Sequence, residues 1–145
     1  MDQYNSCLAK ACLTYGNLTT LYTGNVPSDF RVPCLYYPPD DLDSSKSALN
    51  NYAMEHTIYA KVFAKDRETA LDIATSIVSG ITMNRFRIPI YDEEGTATGE
   101  LLRIDPPNSR IIDEGVAQIT LVYKVQRKYP EPDIPKAKYF HTNYI

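Results

Sequence analysis

The sequence predicts an α+β domain in which a mainly antiparallel sheet carries one long helix packed on a face and a short N-terminal helix. Three stretches support this. Asp66 to Ile81 repeats apolar residues at helical spacing, while Val116 to Tyr129 and Tyr52 to Ala64 alternate at period two as strands do, the latter with both faces partly covered. A long amphipathic helix and two long strands are the minimal parts of a two-layer domain. A chain of 145 residues supplies one core and not two. Residues 1–129 therefore read as one domain, and the Pro- and aromatic-rich residues 130–145 as a C-terminal arm.

The elements follow in order. Tyr4, Cys7, Leu8, Ala11 and Cys12 share a helical face, and Gly16 and Asn17 offer a stop. Next, Leu21, Tyr22, Val32, Leu35, Tyr36 and Tyr37 suggest brief extended pieces among Gly24, Pro27 and Pro33. Pro38 to Asn51, PPDDLDSSKSALNN, has too little apolar surface to pack and reads as a long exposed loop. In the strand that follows, Met54, His56, Ile58, Ala60, Val62 and Ala64 form one face.

Asp66 is placed to cap the long helix, whose stripe is Ala70, Ile73, Ala74, Ile77, Val78 and Ile81, and Glu68 in the first turn suits the helix dipole. Gly80 and Asn84 mark its end. Arg85 to Tyr91 and Glu100 to Asp105 form a hairpin across the acidic tip DEEGTATG. Pro106 and Pro107 break the chain, and Ser109 to Ile112 is a short extended piece. In the last strand Ala117, Ile119, Leu121, Tyr123 and Val125 are expected to face the core. Pro130, Pro132 and Pro135 end it, and Ile134, Tyr139, Phe140, Tyr144 and Ile145 give the arm apolar groups with which to dock.

Composition excludes several functions. Hydrophobic residues at 43% and charged residues at 23% are globular proportions, so the chain should fold. A formal net charge of −3 with scattered cations argues against a protein that grips nucleic acid, and Lys124, Arg127 and Lys128 at a strand end serve solubility. The three cysteines, Cys7, Cys12 and Cys34, are an odd number and read as buried thiols of a reducing cytosol. No apolar run is long enough to cross a bilayer, and MDQYNSCLAK lacks the pattern of a signal peptide, so a soluble, non-exported protein is expected.

The residues capable of chemistry form no recognisable set. Asp40 with Asp41, and Asp92 with Glu93 and Glu94, fall in predicted loops with nothing apolar beside them to raise a pKa. His56 alternates with apolar residues as a structural sheet residue would, and His141 is remote from it and from Cys7 and Cys12, so no metal set is spaced along the chain. Gly24 and Gly99 build no phosphate loop. No catalytic, cofactor or metal residue is assigned, and the expectation is a protein that is not an enzyme. Twelve tyrosines against no tryptophan fit contact surfaces instead.

In the order of its features the chain resembles the tail terminator, or tail completion, proteins of long-tailed phages. The resemblance runs through the N-terminal helix, YTGNVPSDFRVPCLYYPP, the polar loop, the strand HTIYAKVFAKD, the helix RETALDIATSIVSGI, LLRIDPP and DEGVAQITLVYKV. It implies a virion subunit assembled in the host cytoplasm that forms a hexameric ring on the last ring of the tail tube, stops tube growth and faces the neck. Implied partners are copies of itself, the tube protein and a neck or head completion protein, with the sheath a further candidate and DNA passing the lumen unbound. Expected interface residues are Tyr36, Tyr37, Asp40, Asp41, Asp43, Asp92, Glu93, Glu94, Tyr139, Phe140 and Tyr144. The rival readings are another head–tail connector or tube subunit, and a cellular α+β module that binds a small ligand.

Overall fold

The computed structural model describes residues 2–130, so the arm, with Tyr139, Phe140 and Tyr144, lies outside the described residues. Helix α1 (Gln3–Tyr15) begins where the Asp2 carboxylate accepts a hydrogen bond from the Asn5 N–H, and it ends at Gly16. Strands β1 (Leu21–Tyr22) and β2 (Cys34–Tyr36) pair in parallel. They are followed by β3 (Asp41–Lys46), β4 (Asn51–Phe63), α2 (Arg67–Met83), β5 (Arg87–Tyr91), β6 (Ala97–Arg103), β7 (Asn108–Asp113) and β8 (Val116–Lys128).

The main sheet has six strands in the order β1-β2-β4-β8-β7, with β3 joining β4 beyond β2 on the same edge. Its spine is the antiparallel β4–β8 pair, in unbroken register from Asn51 opposite Lys128 to Phe63 opposite Val116. That register puts Ile58, Ala60 and Val62 across from Leu121, Ile119 and Ala117, and all six are buried. Helix α2 lies on this face and seals it with Ala70, Ala74, Ile77 and Ile81. Strands β5 and β6 form a separate ribbon whose Ile88, Ile90 and Leu102 close the core beside α1. The fold is α+β, as the sequence predicts.

Local chemistry sets the joints. The Asp66 carboxylate accepts from the Thr69 N–H at 2.8 Å, the N-cap bond expected of it. Gly115, at φ +72°, turns β7 into β8 close against the β4–α2 junction, where an added Cβ would sit 2.5 Å from the Ala64 carbonyl oxygen. Two expectations are corrected. Gly80 does not mark the end of α2; it lies inside the helix, where a Cβ would fall 2.5 Å from Cγ of Tyr15, so its role is to let α1 approach. Pro38 to Asn51 is not a long loop: Asp41 to Lys46 pairs with β4, Asp41 opposite Thr57 through Lys46 opposite Tyr52, which leaves the short connection 38–40 and the turn 47–50. The outer half of β4 has backbone groups to satisfy, and a polar segment satisfies them as well as an apolar one.

Candidate functional site

A polar cluster ties α1 to the sheet. Asn5, on the inner side of the first turn of α1, accepts at Oδ1 from the Tyr37 hydroxyl at 2.8 Å and the Tyr123 hydroxyl at 3.2 Å. Its Nδ2 donates to Oδ2 of Asp40 at 3.0 Å. The same carboxylate oxygen meets Nδ1 of His56 at 2.5 Å, and the imidazole stacks on the Tyr123 ring with centroids 4.5 Å apart. Four segments of the chain, α1, the connection 37–40, β4 and β8, therefore meet around Asn5 and His56, which are each only 6% exposed.

The electrostatics fix each partner in one role. Burial pushes the Asp40 carboxyl up, but the hydrogen bonds from His56 and Asn5 outweigh it and hold the group below its ordinary value. Burial pushes the Tyr37 and Tyr123 phenols up, so they stay protonated and donate. Asp2, Asp40 and His56 place three potential metal ligands within 4.8 Å of one another. Asp2 also caps α1 and Asp40 also bonds His56, so hydrogen bonds hold these groups where they stand. The cluster acts as a clasp for the N-terminal helix.

The expected interface residues are dispersed. Tyr36 lies on the sheet face away from the helices, with the Lys61 ammonium 5.8 Å from its ring centre. Tyr37 is corrected from surface to interior: at 1% exposure it serves the clasp. Asp40 is likewise not a solvated loop acid, because Asn5 and His56 hold it. Asp41 and Asp43 are exposed on β3, and Glu93 and Glu94 are exposed at the β5–β6 tip, which the Asp92 side chain organises by accepting from the Glu94 and Thr96 N–H groups. Asp40 bonds Asn5, and Asp92 and Glu93 border a groove with Gln3 and Ser6, so both acidic groups flank the first turn of α1. Cys7, Cys12 and Cys34 are buried, and burial pushes the Cys12 thiol up to about 12.

The clasp residues Asn5 and Tyr123 were not singled out by sequence reasoning as partners. The one local signal is an Asn beside the apolar face of α1. The other surface of note is the end of the sheet where β3 and the C-terminal end of β8 flank the start of β4. Every residue of β3 is exposed there, Leu42 is 54% and Leu49 94% exposed, and Tyr129 packs on Tyr52 at 5.2 Å. Among the described residues no strand pairs with the outer edge of β3.

No family model matches the chain. In sequence it is similar to the phage-like element PBSX protein XkdJ of Bacillus subtilis (strain 168), with 28% identity over 115 residues that make up 79% of each chain. It is also similar to the uncharacterized protein YqbJ of the same organism, 26% identical over 113 residues, 78% of this chain and 77% of that one. Among solved structures, a chain of the virion of a native gene transfer agent particle superposes with a TM-score of 0.46 at 11% identity, covering 86% of this chain and 94% of the other. The sequence similarity relates this chain to a protein of a phage-like element.

Proposed function

We propose that this chain is a structural, non-catalytic subunit of a phage-type particle that closes the tail tube as an oligomeric ring, stops tube growth and joins the tail to the neck. The observation that carries the particle assignment is the similarity to a phage-like element protein across 79% of both chains. The tail-terminator role rests on the resemblance in the order of elements, and the surfaces suit it. The sheet carries a strand, β3, that is exposed at every position and has no strand on its outer edge among the described residues, next to a turn with the exposed Leu49, which are features of an assembling subunit.

The residues that could do chemistry are committed to structure. Asp40 is held by Asn5 and His56, the Tyr37 and Tyr123 hydroxyls are held by Asn5, and the thiols are buried. The exposed acids Asp92 and Glu93, which border the first turn of α1, would repel DNA if that end faced the lumen. The partners under this reading are further copies of the chain, the tube subunit and a neck protein, and its place is the neck-proximal end of the tail in the virion.

Deleting the gene from a particle-forming background tests the role. Tubes of uncontrolled, excess length that regain normal length on complementation are the expected result. Normal-length tails that fail to join heads would contradict termination and favour a neck connector.

A further inference from the structure

The free edge of β3 has a charge pattern with a counterpart elsewhere in the sequence. Register with β4 puts Asp41 opposite Thr57, Leu42 opposite His56 and Asp43 opposite Glu55. Leu42 therefore lies on the helix side of the sheet, and Asp41 and Asp43 lie together on the other side. Across the sheet from Asp43 the row continues through Glu55 to Lys124, which pairs at 3.5 Å. Two carboxylates thus stand side by side with a cation on one flank only, an arrangement that a cation on the β3 flank would relieve. Among the described residues Asp41 and Asp43 make no ion pair.

The chain continues past Tyr129 as PEPDIPKAKYF, in which Lys136 and Lys138 have the same two-residue spacing as Asp41 and Asp43, with Ala137 between them as Leu42 lies between the acids. In a strand the two lysines share one face and Ala137 takes the other. Laid along β3 in either direction, the lysines meet the aspartates and Ala137 meets the half-exposed Leu42. Adding an extended peptide to a free sheet edge is an established mode of recognition, with affinity from main-chain hydrogen bonds and choice of partner from alternate side chains.

We propose that residues 136–140 of one copy add as a strand to the free edge of β3 in a second copy, with Lys136 and Lys138 opposite Asp41 and Asp43. The second copy follows from the connecting sequence. To reach its own β3 the chain would have to reverse around the β3–β4 turn, because β8 runs toward that turn and Tyr129 donates its N–H to Asn50 there. From Tyr129 to Pro135 every residue except Asp133 is a proline or directly precedes one, which narrows the backbone freedom such a return would use. A second copy is therefore the occupant this proposal commits to.

This inference rests on the reading of the chain as a self-assembling subunit, and charge exchange separates the two. Three full-length variants are compared with the wild type by native mass and light scattering: D41K/D43K, K136E/K138E and the chain carrying all four changes. All the substituted residues of β3 are exposed, so each variant should fold, which circular dichroism verifies. Each double variant alone should weaken the oligomer about tenfold or more in dissociation constant. The fourfold variant should assemble like the wild type. Mixing the two double variants should also restore assembly, because alternating copies then present opposite charges at every junction.

Restoration in the fourfold variant but not in the mixture would mean that the arm folds back on its own β3, and would overturn the exchange. An oligomer indifferent to either reversal would overturn the pairing while leaving the self-assembling subunit intact. A wild type that stays monomeric would overturn both.

Discussion

Replacing Asp40 by Ala separates a clasp from a surface contact. The substitution removes the acceptor that Asn5 Nδ2 reaches at 3.0 Å and the partner of His56 Nδ1 at 2.5 Å. His56 would be left with neither ring nitrogen satisfied, since its Nε2 is buried without a partner among the described residues. A buried polar group that loses its partner costs about 1–3 kcal/mol. Two such losses, reduced because the Asp40 side chain is 19% exposed and water can enter, give a destabilisation of about 2–3 kcal/mol. For a domain of this size that is a fall in Tm of roughly 6–9 °C.

The pH dependence has a definite sign. The folded-state pKa of Asp40 lies below its unfolded value, so its contribution is present above the unfolded pKa, about 4, and is lost as pH falls through the folded value. The stability gap between wild type and Asp40→Ala should accordingly be full at neutral pH and shrink in acid. Urea unfolding of both proteins across this range, followed by circular dichroism, measures it. A gap under about 0.5 kcal/mol at neutral pH, the ordinary size for a surface substitution, would refute the clasp.

Gly115→Ala should destabilise by about 2 kcal/mol or more, because a strained positive φ is combined with a Cβ 2.5 Å from a backbone oxygen. Gly95→Ala, at φ +83° but facing open space, should cost only about 1 kcal/mol, and thermal melts of the pair compare them. Cys12, buried with its thiol raised to about 12, should resist a thiol reagent in mildly alkaline buffer until denaturant is added. Rapid labelling of Cys12 in the folded protein, read by peptide mass, would contradict its placement in the core.

What the sequence made legible was whatever burial writes into local pattern. Helix α2 and its Asp66 cap, and the core faces of β4 and β8, follow from periodicity because each buries a stripe. Strand β3 left no such trace: DLDSSK is exposed at every position and is a strand only because β4 offers it a ladder. The clasp was illegible for a different reason. Asp40 looks solvated among its neighbours, and its partners Asn5 and His56 lie 35 and 16 residues away. Gly80 has the look of a helix stop and is an approach point for Tyr15, a distinction only tertiary packing makes.

Mixing the purified full-length protein with its cognate tube subunit, and examining the products by native mass and negative-stain microscopy, tests whether the proposed ring closes a tail tube. Closed rings, or a cap on one end of tubes that then stop growing, are the predicted result. A monomer that leaves tube ends bare and tube growth unchanged would contradict the account.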